Sequence, residues 1–193
     1  MDDALRIRMA RLCAEGWDIW EHFDVEVRDR GFHPFVAADY ERVLAALLRH
    51  RGPGLKFLEW GSASGVITIM ADLLGYEAFG IELDANLVRT ARSLATRFDS
   101  RARFAAGSFL PAGYVWRPVG GDGRVATIGD GASGYREIGH PLDDFDVVFG
   151  FPWGGEEPLM RDLMSSYGGA DALLLLNTVN GGVEEYRNAR AHR

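Results

Sequence analysis

The sequence predicts a three-layer α/β fold, with a doubly wound, mostly parallel sheet between two layers of helices. Three observations predict it. Short apolar runs alternate with longer stretches of helical period, glycines rather than two-residue hairpin turns bound the runs, and the run at 55–60 ends in Gly61 and Gly65 before a helix, a second run and the carboxylate Glu82. Parallel strands need crossover helices, and such crossovers are right-handed. In such sheets ligands bind beyond the carboxyl ends of the strands, where the strand order reverses.

Taken in order, Leu5, Met9, Leu12, Cys13, Gly16, Trp17 and Trp20 recur at helical spacing, with Asp2 and Asp3 at the positive end of the dipole. Residues 21–34 have no clear period and read as a connector, since Pro34 restricts His33 to extended geometry. Residues 1–34 therefore form a helix and connector expected to cap the cleft of the domain at 35–193. A second helix carries Val36, Tyr40, Val43, Leu44, Leu47 and Leu48 on one stripe and stops at Gly52-Pro53-Gly54. Strand one follows at 55–60. Ser64 is placed to cap the helix bearing Val66, Ile67, Met70, Leu73 and Leu74; residues 77–82 form strand two, and Asp84 caps a helix whose buried stripe runs from Leu87 to Phe98. Strand three, at 103–106, leads into Gly107-Ser108-Phe109.

Residues 111–143 break the rhythm. They are rich in glycine and read as an insertion, within which 124–128 and 135–138 are expected to pair as a hairpin. Strand four at 145–149, a loop containing Phe151, Pro152 and Trp153, a helix opened by Pro158 and strand five at 172–176 complete the alternation. A last helical turn or two is expected around 183–190. Only 17 residues follow Leu176 (193 − 176), so the sheet is expected to be truncated after strand five. That bare edge would need covering by the insertion or by a second subunit, which makes a homodimer an expectation.

Composition narrows the function. A chain of 193 residues with 47% hydrophobic content builds one core, and a formal charge of −7 disfavours phosphate-driven binding to a nucleic-acid polymer. The single cysteine, Cys13, excludes an internal disulfide and any multi-cysteine zinc site, and no metal is expected. With neither a membrane-length apolar run nor a basic-then-apolar leader, the expectation is a soluble, cytoplasmic protein.

The loops carry the chemistry. Gly61 and Gly65 let the backbone pass close to a ligand. Glu82, 21 positions beyond Gly61 (82 − 61), lies where a carboxylate accepts hydrogen bonds from both hydroxyls of a ribose. A dinucleotide site needs Gly-x-Gly-x-x-Gly to bring a pyrophosphate onto the helix. Here two glycines are present beside the acidic Glu59, which suits a cationic ligand better than a diphosphate.

Glu59-Trp60-Gly61-Ser62-Ala63-Ser64-Gly65 with Gly80-Ile81-Glu82-Leu83-Asp84 resembles the first two motifs of the class I S-adenosylmethionine-dependent methyltransferases, over residues 36–176 or so. The resemblance implies a Rossmann-like fold with S-adenosylmethionine as cofactor. By it Glu82 would hold the ribose, Gly61 and Ala63 would line the methionine moiety, Gly65 would belong to the same cofactor-binding loop, Glu59 would help place the ammonium group, and Leu83 would pack on the adenine. Ser108 stands where the family usually has an Asp facing the adenine amino group, and Phe109 is placed to stack on the ring.

The loop Gly150-Phe151-Pro152-Trp153-Gly154-Gly155 is similar to the Asp/Asn-Pro-Pro-Tyr/Trp loop of amino-group methyltransferases, and its last four residues resemble trimethylguanosine synthase. Gly150 and Phe151 replace the first two positions, so the side-chain acceptor of that motif is missing. An aromatic-lined acceptor pocket of Phe149, Phe151, Pro152 and Trp153 is expected, with His33 at its cover. Methyl transfer mainly requires alignment, so no residue is assigned as catalytic; His33, Tyr40 and His140 are the candidate bases for acceptors that must lose a proton. The leading reading is a methyltransferase with a small-molecule acceptor. The alternatives are a nucleobase, RNA or protein N-methyltransferase and a non-catalytic S-adenosylmethionine-binding protein, with a dinucleotide oxidoreductase more distant.

Overall fold

The computed structural model describes residues 1–27, 37–115, 131–152, 155–178 and 182–188. Six strands, β1 (Lys56–Trp60), β2 (Glu77–Glu82), β3 (Arg103–Ala106), β4 (Val147–Gly150), β5 (Leu173–Asn177) and β6 (Val183–Arg187), form one sheet in the order β3-β2-β1-β4-β5-β6. The first five are parallel and β6 is antiparallel to β5. Strand order reverses between β1 and β4, as the doubly wound pattern requires.

Helices α1 (Asp3–Val27), α2 (Tyr40–His50), α3 (Val66–Leu73) and α4 (Ala85–Arg97) cover one face, where Leu12, Val43, Leu47, Ile69, Met70 and Ala91 meet Phe57, Val147, Phe149 and Leu175. On the other face α5 (Tyr135–Ile138), a 3-10 turn at Leu142–Asp144 and α6 (Glu157–Tyr167) bury Trp60, Phe79, Ile81, Val148, Leu174 and Leu176. β4 and β5 are buried along their whole length, which is why they read as unbroken apolar runs. Local signals set the helix starts. Asp39 and Asp84 cap α2 and α4, accepting from Arg42 N (3.2 Å) and Asn86 N (2.7 Å).

Four expectations are corrected. α1 continues to Val27, so helix replaces the first part of the expected connector. Ser64 does not cap α3, whose cap position is Gly65 in the left-handed region; Glu59 reaches up from β1 and serves the first turn instead. Tyr135–Ile138 is a helical turn rather than a hairpin strand, because both ends of the i, i+3 pair bury against the second face and Gly139 at φ +79° closes the turn. Its expected partner, 124–128, lies outside the described residues.

The fourth correction concerns the sheet edge. Residues 183–187 form β6 rather than a helix, so the sheet is not truncated after β5, and neither the insertion nor a second subunit is needed to cover that edge. Val183 and Tyr186 stand three apart, a spacing that suits a helix stripe; the exposed ladder of β5 decides the outcome by pairing. Glu184, Glu185 and Arg187 then charge the new edge, which discourages further pairing. Glu185 accepts from Arg49 at 2.7 Å and lies 3.0 Å from His50, which ties β6 to α2.

Candidate functional site

The β1–α3 loop is pinned before any ligand arrives. Gly61 N and Ser62 N both donate to Ile81 O, at 2.9 and 3.0 Å, so the loop is fastened to the adjacent strand. Gly61, Ala63 and Gly65 have φ of +69°, +44° and +80°. The two glycines serve different ends. A Cβ at Gly65 would lie 2.7 Å from Ala91 Cβ and from the Phe104 ring, so that glycine permits close packing on α4 and β3. A Cβ at Gly61 would meet nothing within 4 Å, which leaves open space in front of the turn.

That space belongs to an open cleft with an enclosed volume of about 40 Å³, walled by Tyr40, Glu59, Ser62, Ala63, Phe149 and Phe151 among others. Glu59 is buried at 4% exposure, and its Oε2 accepts from Thr68 N (2.9 Å) and Thr68 Oγ1. Burial pushes its carboxyl up to about 8, against the Thr68 hydrogen bonds and with a small further push from Glu82. A cation arriving in the cleft would draw off that proton. Ser62 is also buried, and its Oγ has no partner among the described residues.

Glu82 closes the other side of the loop. Its Oε2 accepts from Ala63 N and its Oε1 from Asp84 N, both at 2.9 Å. Each oxygen therefore has one amide and a remaining lone pair, the arrangement a pair of vicinal hydroxyls can use. Burial raises this carboxyl above the usual range, and the backbone amides of Asp84, Ala63 and Leu83 oppose the rise. Leu83, next along, is 36% exposed, and a Cβ at Gly131 would lie 3.8 Å from it, so the end of the insertion returns beside it.

The third loop differs from expectation. Ser108 is buried; its Oγ accepts from Leu110 N at 3.1 Å, while its backbone exchanges hydrogen bonds with Ala132 O and Gly134 N. The insertion thus docks against Ser108. Phe109 stacks on Trp60 (centroids 5.5 Å apart, planes at 22°) inside the second-face core, and Trp60 Nε1 donates to Tyr135 OH at 2.8 Å. Phe109 is a core ring here, away from the cleft wall.

At the end of β4 Phe149 is fully buried, whereas Phe151 and Pro152 are half-buried; Phe149 and Phe151 both line the cleft. Trp153 and His33 lie outside the described residues. α1 crosses the cleft's flank closely, since a Cβ at Gly16 would sit 2.7 Å from Val66 Cγ2 and 3.0 Å from Tyr40 OH. Trp17 packs on Tyr40 at 5.2 Å and on Trp20 at 5.8 Å. Of the candidate bases, Tyr40 lines the cleft with its phenol pushed well up by burial, and His140 is on the opposite face against Phe79, Phe145 and Asp144. Among the described residues no cluster of three or more His, Cys, Asp or Glu could hold a metal ion, and no helix is long and apolar enough to cross a membrane.

Sequence reasoning missed Thr68, the partner of Glu59, and Asn177, which ends β5 buried at 3% exposure. A signal existed for the second: a lone amide directly after four leucines at the carboxyl edge of a parallel sheet.

No family model matches the chain. It is 35% identical over 99 residues to the ribosomal protein L11 methyltransferase of Thermus thermophilus, a match covering 50% of this chain and 39% of that protein. The chain thus spans about two fifths of the curated relative it matches. In fold it is similar to the precorrin-6y C5,15-methyltransferase of Geobacter metallireducens (TM-score 0.53, 16% identity, 78% of this chain and 69% of that one). It is likewise similar to an RNA methyltransferase of Salinibacter ruber solved with S-adenosyl-L-homocysteine (TM-score 0.55, 14% identity, 78% and 93%). The fold is therefore the Rossmann-like fold of the class I S-adenosylmethionine-dependent methyltransferases, as the motifs implied.

Proposed function

We propose that the protein transfers a methyl group from S-adenosylmethionine to a small-molecule acceptor. The observation that carries the reading is the loop constellation: Glu82 held by Ala63 N and Asp84 N, beside an open turn at Gly61 and over a cleft floored by the buried Glu59. Those residues suit a ribose at Glu82 and a cationic amino-acid sulfonium over Gly61 and Ala63, with Leu83 and Ser108 flanking the base. Phe109 is dropped from that set because it is committed to Trp60. When bound, S-adenosylmethionine supplies an already activated methyl group, so the chain's own task is to hold, orient and exclude water.

Phe149, Phe151 and Pro152 are the acceptor wall, and α1 caps the cleft, supported by the seat of Gly16 against Val66 and Tyr40. A titration calorimeter tests the reading: S-adenosylhomocysteine should bind in the micromolar range and Glu82→Ala should weaken it strongly. Absence of binding by the wild type would end it. A second reading, transfer to a protein, is favoured by the Thermus thermophilus relative, whose name specifies a ribosomal protein. Labelled methyl appearing in a protein partner but in no small molecule of an extract would select it. The charge of −7 argues against a nucleic-acid acceptor.

A further inference from the structure

The most informative group outside the cofactor loops is the Asn177 side chain. It is 3% exposed and its Oδ1 has no hydrogen-bond partner among the described residues. Burying an amide oxygen unpaired is destabilising, and Leu173, Leu174, Leu175 and Leu176 before it show that an apolar residue suits this strand. Its placement gives the oxygen a use. Leu173 and Leu175 pack on the α1–α4 face, and Val183, paired with Asn177, packs there too, so strand alternation puts the Asn177 side chain on that face.

The register pairs Phe149 with Leu175 and Gly150 with Leu176, which sets Asn177 one step further on, level with Phe151. Phe149 and Phe151 line the cleft from the same face. Position 150 cannot supply the missing acceptor, because a Cβ at Gly150 would point to the other face, 2.7 Å from Met160 Sδ.

We propose that Asn177 positions the methyl acceptor through its carboxamide oxygen, and that the acceptor is a planar aromatic molecule presenting an N–H donor to it. The inference rests on the methyltransferase reading and deepens it. A neutral amide oxygen accepts from a nitrogen without removing its proton, so the lone pair stays available for alkylation. Phe149, Phe151 and Tyr40 all line the cleft, and aromatic side chains there suit an aromatic acceptor ring.

Binding of aniline and of its isostere toluene, followed by NMR titration with S-adenosylhomocysteine saturating, tests it. The wild type should prefer aniline by about tenfold, the worth of one buried hydrogen bond. Asn177→Leu should abolish that preference, leave S-adenosylhomocysteine affinity within about twofold and raise the melting temperature of the free protein by a few degrees. Asn177→Asp, which keeps an acceptor oxygen and guards against a leucine variant that packs badly, should retain the preference. An aniline preference that survives in Asn177→Leu, or is absent from the wild type, overturns the proposal alone. Failure of the wild type to bind S-adenosylhomocysteine removes the methyltransferase reading as well.

Discussion

On the β1–β2 side of the switch point the two carboxylates are held by the protein itself, Glu82 by Ala63 and Asp84 and Glu59 by Thr68, whereas on the β4–β5 side the amide Asn177 has no partner among the described residues. The first side is a set of backbone amides and acids fixed in place, which can bind a ligand of constant shape with little rearrangement. The second sets the rings of Phe149 and Phe151 on the cleft, on strands whose register continues to a buried amide unpaired among the described residues, and a surface of that kind changes its specificity by changing a side chain. On the proposed function, cofactor and acceptor recognition are separable, so a substitution on one side should leave binding on the other unchanged.

The largest effect should come from the glycine pair. Gly65→Ala places a methyl 2.7 Å from Ala91 and Phe104 at a φ of +80° and should lower stability by about 2–4 kcal/mol in urea unfolding. Gly61→Ala, at φ +69° with open space ahead, should cost about 1 kcal/mol and instead weaken S-adenosylhomocysteine. If the two variants lose equal stability, the division of labour within the loop is wrong. Glu82→Ala should weaken S-adenosylhomocysteine by about 30- to 100-fold, the loss of two charge-assisted hydrogen bonds, without altering the aniline preference.

Glu59 predicts a pH dependence. Its carboxyl is raised from 4.5 to about 8 in the folded protein, so below about 4.5 it is protonated folded or unfolded and its contribution is fully present. Between 4.5 and about 8 the unfolded chain has released a proton that the folded chain keeps, and stability falls with rising pH by at most about 1.4 kcal/mol per unit. Glu59→Gln should flatten that decline, measured by urea unfolding from pH 5 to 9. The same group predicts that S-adenosylmethionine binding at pH 7 releases protons, detectable as a dependence of binding heat on buffer.

The side the sequence revealed well is the side made of backbone geometry. Gly61, Gly65 and Glu82 are spaced by chain connectivity, since one helix and one strand separate the turn from the acid, and that spacing survives in one dimension. Phe109 was not legible: it follows β3 at the expected place, yet Trp60 on β1 captures its ring through a contact between residues 49 positions apart (109 − 60). β6 escaped because five residues with apolar side chains three apart carry no strand period, and only the open ladder of β5 decides their state. Asn177 is visible as a residue, but its burial without a partner among the described residues is not, because that depends on which face of β5 its side chain takes.

The smallest predicted effect is the sharpest test of separability. Phe151 is half-buried, lines the cleft and packs against the same core as Phe149, close to Gly61 in space but on the β4 side of the switch point. Phe151→Ala removes a ring from the proposed acceptor wall without touching Glu59, Glu82 or the loop amides that hold them. S-adenosylhomocysteine affinity should therefore stay within about twofold, while aniline and toluene should weaken together, since both lose the same apolar surface. A tenfold loss of S-adenosylhomocysteine would mean that the ring is shared between the two subsites, and cofactor and acceptor recognition would then be coupled through it. Loss of aniline alone would place the ring's edge, rather than Asn177, at the nitrogen.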